Sequence, residues 1–120
     1  MMESLTKDTF VSKVYDYKNT TINYNGDLPC VIDWYAEWCQ PCKTISPILE
    51  QLSSEYSGKI NFYKIDVDKE YELSNSFNIK SIPMLMFITK KGEISTLTGS
   101  YPKENILKHI NVFLIDNENK

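Results

Sequence analysis

Cys30-Val31-Ile32-Asp33-Trp34-Tyr35-Ala36-Glu37-Trp38-Cys39-Gln40-Pro41-Cys42-Lys43 is the stretch that decides the fold. Its first six residues are apolar on both faces apart from Asp33, the pattern of a strand covered on both sides. From about Cys39 the period changes to 3.6. Ile45, Ile48, Leu49, Leu52 and Tyr56 recur at helical spacing, and Gly58 follows as a stop. Pro47 falls inside this helix and predicts a kink there. Cys39 and Cys42 therefore sit where a strand turns into a helix. The first N–H groups of a helix lack intrahelical partners and favour negative charge. A thiolate is favoured at such a place, and the thiolate is the nucleophile. Cys42, one turn into the helix, is within reach of a mixed disulfide formed on Cys39.

Other chemistries use paired cysteines. A closed zinc site needs four ligands; the remaining candidates, Cys30 and the lone His109, lie far apart and show no ligand spacing. A purely structural disulfide between Cys39 and Cys42 closes a very short loop, where the entropic gain is smallest. Haem attachment calls for His after the second Cys, and Lys43 is there instead. A Cys–His protease needs a base for Cys39, and nothing ties His109 to that turn. On residue grounds, dithiol–disulfide chemistry is the strongest of these readings, and no metal is expected.

Outward from this stretch, element types alternate. Thr6 reads as an N-cap, with Leu5 before it and Phe10 at the fourth helical position as a hydrophobic staple. Phe10, Val11 and Val14 continue a helical stripe to about Tyr17. After polar Lys18-Asn19-Thr20 comes a β-like piece, Thr21-Ile22-Asn23-Tyr24, and then turn chemistry in Asn25-Gly26-Asp27. Residues 60–66 form a second central strand candidate, and Asp68 reads as the cap of a short helix reaching Phe77. Residues 84–89, the turn Lys90-Lys91-Gly92 and residues 93–98 form a hairpin. Pro102 opens a last helix in which Ile106, Leu107, Ile110, Phe113 and Leu114 share one face. His109 falls off that face and reads as a surface residue, and Cys30 as a small buried hydrophobe. No repeat or linker is visible. The expectation is one domain over residues 1–120, with its core at about 6–115 and a polar tail at 116–120. Its class is α/β, a central mixed sheet with helices on both faces. The cysteine turn lies at the carboxyl end of a central strand, where open α/β sheets bind ligands.

Composition narrows the function classes. Of the 120 residues, 42% are hydrophobic and 24% charged, an ordinary globular balance. The net charge is −3 and all 13 basic residues are lysines, so with no basic block a nucleic-acid partner is not expected. No apolar run approaches the roughly 20 residues of a membrane span. The start, Met1-Met2-Glu3-Ser4-Leu5-Thr6-Lys7, lacks the basic-then-apolar pattern of a secretory signal. Three cysteines do not make a disulfide scaffold; they fit a reducing compartment, and a cytoplasmic monomer is expected. Asp33 is the odd residue of its strand. A carboxylate in an apolar run is costly to ionise, so its pKa rises, and a raised carboxyl is a usable base near neutral pH.

Taken together, Val31-Ile32-Asp33-Trp34-Tyr35-Ala36-Glu37-Trp38-Cys39-Gln40-Pro41-Cys42-Lys43, Pro47, Lys64-Ile65-Asp66-Val67-Asp68, Ile79-Lys80-Ser81-Ile82-Pro83, Gly92 and Gly99 resemble the thioredoxin family in order and spacing, over about residues 6–114. The resemblance implies the thioredoxin fold and a thiol–disulfide oxidoreductase that reduces protein disulfides. It implies no bound cofactor, only a redox-active Cys39–Cys42 pair recharged by a thioredoxin reductase, an NADPH-dependent flavin enzyme. By the same resemblance Cys39 attacks, Cys42 resolves, Asp33 takes the proton of Cys42, and Lys64 lies near Asp33. Trp38 shields the sulfurs, Ile82-Pro83 is a cis-proline turn facing them, and Gly99 permits close approach of substrate. A recognition patch comprises Trp38, Pro41, Ile82, Pro83 and Gly99. The chain departs from the family pattern at Gln40, in place of Gly, at Tyr35 and Met84, in place of Trp and Thr, and at Ser81, in place of Gly. Gln40 bears on redox poise, the others on partner preference. Two alternatives stand beside this reading: an oxidase or isomerase of an oxidising compartment, and a non-catalytic interaction module.

Overall fold

Strand β2 (Cys30–Tyr35) occupies the middle of a five-stranded sheet in the computed structural model, which describes residues 2–19 and 21–116. The sheet order is β1-β3-β2-β4-β5, with β1 at Glu3–Ser4, β3 at Asn61–Asp66, β4 at Met84–Ile88 and β5 at Ile94–Thr98. β1 and β2 run parallel to β3, while β4 is antiparallel to both β2 and β5. The crossover from β2 to β3 is helix α2 (Gln40–Glu55), following α1 (Lys7–Lys13); α3 (Tyr71–Ser76) joins β3 to β4. The chain ends in α4 (Lys103–His109), which continues as a π-helical stretch over Ile110–Ile115.

The alternation of side chains along β2 divides the core in two. Cys30, Ile32 and Trp34 pack with Phe10 and Val14 from the α1 side and Leu73 of α3. Val31 packs on the other side with Ile45, Leu49 and Leu52 of α2 and with Ile106, Ile110 and Leu114 of the last helix. The expected α/β sheet with helices on both faces is therefore present. Phe10, Trp34, Leu49 and Ile106 are each fully buried, and burying a side chain of that size stabilises the fold by about 1.5–3 kcal/mol.

Several local expectations hold in detail. Thr6 caps α1, its hydroxyl accepting the Thr9 N–H, and Leu5 and Phe10 share one cluster. The tight turn before β5 closes with Thr89 N–H on Glu93 O, and Gly92 there has φ 89°. Pro47 lies inside α2.

Others are corrected. α1 stops at Lys13 rather than near Tyr17, because its last carbonyls find partners elsewhere: the Asn25 backbone N–H donates to Val14 O and the Asn25 side-chain amide to Val11 O. Thr21-Ile22-Asn23-Tyr24 is not a strand. The sheet's first edge strand is instead Glu3–Ser4, a pair too short to show alternation in sequence. Instead Tyr24 packs against the core and its hydroxyl donates to Leu28 O. Asp68 does not cap α3, which starts after Glu70 without a side-chain cap. His109 is half-buried, its ring 4.4 Å from that of Phe87 and its Nε2 2.9 Å from Ser95 Oγ. The tail expected at 116–120 lies outside the described residues from 117 onward.

Candidate active site

The turn after β2 is built from its backbone outward. Ala36 O accepts the Cys39 N–H, and Cys39 then takes the N-cap position of α2, with φ −85° and ψ 108°. Pro41 stands in the first turn, where its missing N–H costs nothing. Cys39 and Cys42 are joined as a disulfide with their Cα atoms 5.3 Å apart. The Cys42 N–H points at Cys39 Sγ, 3.2 Å away. No acidic residue stands in the first turn of this 16-residue helix. Once the bond is reduced, the same N–H and the positive end of the helix face whatever charge develops on Cys39 Sγ. Both cysteines are largely covered, at 4% and 3% exposure, while Trp38 beside them is 70% exposed. Ala36 and Ile82 pack against the two sulfurs' residues.

Trp38 does not fill core. It lies across the surface and its Nε1–H donates to an Asp68 carboxylate oxygen at 2.8 Å. Asp68 is placed in turn by Asp66, whose Oδ1 accepts the backbone N–H groups of Asp68 and Lys69. Asp68 thus tethers the indole, a role the sequence hid because the partners stand 30 residues apart.

Asp33 lies on the α2 side of β2, buried at 3% exposure, and its Oδ1 has no hydrogen-bond partner among the described residues. Burial pushes its pKa up from 3.8 to about 7, while the Lys64 ammonium pulls the other way. Lys64 stands directly across the strand pair from Asp33 on β3. A cleft of about 160 Å³ joins these groups to the cysteine turn; Asp33, Lys64, Tyr35, Cys42 and Ser46 line it. That is room for a few water molecules. Tyr35 and Ser46 were not singled out for this cleft from sequence. Their spacing does announce it: Tyr35 is two along the strand from Asp33, and Ser46 is four along the helix from Cys42.

The Ile82–Pro83 peptide bond is cis. Gly99, at φ 111°, donates its N–H to Pro83 O at 2.8 Å, in a left-handed conformation that glycine adopts without strain. The structure therefore brings Cys39, Cys42 and Ile82 into one cluster, Cys42, Asp33 and Lys64 into one cleft, and ties Gly99 to Pro83. Gln40 and Pro41 are exposed at the helix start. Cys30, by contrast, is a free thiol at 0% exposure on the opposite face and end of β2. Among the described residues no group of three or more His, Cys, Asp or Glu could hold a metal ion, and no helix is long and apolar enough to cross a membrane.

Comparison with known proteins agrees with this geometry. The family model described as thioredoxin matches residues 2–112. A thioredoxin of Borreliella burgdorferi is 45% identical over 112 residues, covering 90% of this chain and 96% of that protein. A thioredoxin of Haemophilus influenzae is 34% identical over 96 residues, covering 80% of this chain and 88% of that protein. An M-type chloroplastic thioredoxin of Brassica napus is 34% identical over 106 residues, covering 88% of this chain and 60% of that protein.

Proposed function

We propose, on the premise that the chain belongs to the thioredoxin family, a division of labour among the residues of its cysteine turn. The chain is a thiol–disulfide oxidoreductase, an enzyme that reduces disulfides in protein substrates. In the reduced protein, the Cys39 thiolate attacks one sulfur of a substrate disulfide. A mixed disulfide forms and the first substrate sulfur leaves as a thiolate, which takes a proton. The Asp33 carboxylate then accepts the proton of the Cys42 thiol. The Cys42 sulfur attacks Cys39 Sγ, and the second substrate sulfur departs. Two electrons have passed to the substrate, and the protein is left with the Cys39–Cys42 disulfide seen in the structure.

The observation that carries the assignment of Cys39 is the Cys42 N–H directed at its sulfur from the helix start. Asp33 is supported by its burial, its raised pKa of about 7 and the cleft it shares with Cys42; such a carboxyl is poised to gain and lose a proton near neutral pH. Lys64 keeps that value from rising further. Trp38, Gln40, Pro41, Ile82, Pro83 and Gly99 form the surface on which an extended substrate segment lies, supported by their arrangement around the turn. Recharging by a thioredoxin reductase, with electrons from NADPH through a flavin, completes the cycle; the protein works as a single-domain monomer in the cytoplasm, where three cysteines in 120 residues suit a reducing milieu.

Turnover with NADPH, a thioredoxin reductase and insulin as disulfide substrate tests the cycle. Continuous NADPH consumption is expected, and a Cys42→Ser variant should accumulate a covalent Cys39–substrate adduct. An active wild type whose Cys42→Ser variant traps nothing reverses or removes the two cysteine roles.

A further inference from the structure

We propose that Tyr35 is a positioning residue for the proton step: its ring holds the Lys64 ammonium beside the cleft that ends on Asp33. The inference rests on the reading of Asp33 given above and adds to it the group that sets the lysine's place. Lys64 Nζ lies 5.8 Å from the centre of the Tyr35 ring, inside the distance of roughly 6 Å at which an aromatic face attracts a cation. Asp33 and Tyr35 are two apart on β2 and so present the same face. Lys64 is paired across the sheet with Asp33, and Asp66 with Tyr35. All three of Asp33, Tyr35 and Lys64 line one cleft with Cys42.

A lysine on a strand has a flexible four-carbon stem and ordinarily carries its charge out to water. An aromatic face part-way along that path gives the ammonium a second attraction and keeps it within range of the carboxyl. The titratable and charged groups lining the cleft with Asp33 are Lys64 from β3, Cys42 and Lys43 from α2, Tyr35 from its own strand and Glu37 from the turn, while Leu85 is paired with it on β4. Of these, Lys64 is the one that pulls the carboxyl down. The Tyr35 hydroxyl is itself held up by burial and by Asp66, Glu37 and Asp33, so the ring stays a neutral phenol at working pH. The useful part of Tyr35 is therefore its face rather than its hydroxyl.

The test is an NMR titration of the Asp33 side-chain carboxyl in the full-length oxidised protein. Tyr35→Phe keeps the face and should leave the midpoint within about 0.2 of wild type, whereas Tyr35→Leu should raise it by about half a unit. Lys64→Gln should raise it at least as far, and Tyr35→Leu added to Lys64→Gln should move it no further. A mere packing defect at Tyr35 admits water and lowers the midpoint instead. An unchanged or lowered midpoint in Tyr35→Leu overturns the proposal, as does a shift that persists without Lys64. Should Tyr35→Leu fail to fold, Tyr35→Trp decides: an equal or lower midpoint supports the proposal and a raised one overturns it. The readout is independent of turnover. Failure of Asp33 as the base shows separately, as an Asp33→Asn variant whose pH–rate profile matches wild type.

Discussion

Cys30 and Cys39 stand near opposite ends of β2, and both are covered, at 0% and 4% exposure. Exposure does not separate them; backbone surroundings do. Cys30 opens a central strand, in register with Asn61 on one side and Ile88 on the other, and burial pushes its thiol up to about 12 against the opposing pull of the Tyr24 hydroxyl. Cys39 lies past the strand's end as the N-cap of α2, where the Cys42 N–H reaches its sulfur and no carboxylate shares the first helical turn. On the proposed reading Cys30 is the inert thiol and Cys39, beyond the strand, the reactive one, and the helix start makes the difference.

The sharpest way to break this comparison is to exchange each sulfur. Cys39→Ser should reduce insulin-disulfide turnover by on the order of a thousandfold or more, while Cys30→Ala should keep turnover within about twofold and cost about 1 kcal/mol of stability in urea unfolding. Comparable losses of turnover from the two variants would end the distinction.

Asp33, between the two cysteines in sequence and on the same strand as Cys30, sharpens the comparison through pH. Its carboxyl sits at about 7 in the folded protein against 3.8 in the unfolded chain. Below pH 4 both states hold the proton and the group is neutral to stability. Between pH 4 and 7 the unfolded chain releases its proton while the folded protein does not, so stability falls as pH rises; above 7 the full loss is in place. Asp33→Asn should therefore stabilise the protein by up to about 4 kcal/mol at pH 8 and by little at pH 4. Urea midpoints measured across this range check it, and a gain independent of pH would mean the carboxyl is not raised by burial.

A smaller effect is expected at the rim. Asp68→Ala frees the Trp38 indole from its tether. Trp38 is exposed, so the loss should be confined to substrate affinity, a rise in KM of less than about fivefold with kcat kept. A fall in kcat alone would place Asp68 in the chemistry rather than at the surface.

The parts of this molecule that were legible in sequence are those that carry a local signature. The run Cys30–Tyr35 is apolar on both faces because it is covered on both faces, and its observed ends match. The 3.6 period of α2 and the Lys90-Lys91-Gly92 turn likewise declare themselves. What was hidden depends on partners far along the chain. Glu3–Ser4 is a strand only because β3 offers it an edge, and Thr21-Ile22-Asn23-Tyr24, with stronger β character, pairs with no strand. Asn25 ends α1 from eleven residues beyond Val14. The cleft was half visible: Asp33 stood out as a carboxyl in an apolar run, whereas Lys64 and the cis bond before Pro83 came only through resemblance to a family. No pattern of residues announces that Lys64 faces the Tyr35 ring or that Asp68 meets Trp38.

The most direct measurement is cysteine-resolved alkylation of the fully reduced protein with iodoacetamide between pH 5 and 10, followed by peptide mass spectrometry. Cys39 should react first, with a midpoint well below the free-thiol value of about 8.5, while Cys42 and Cys30 lag at every pH. A Cys39 midpoint at or above that value, or a Cys39 rate no faster than that of Cys30, contradicts the claim that the helix start makes this sulfur the nucleophile.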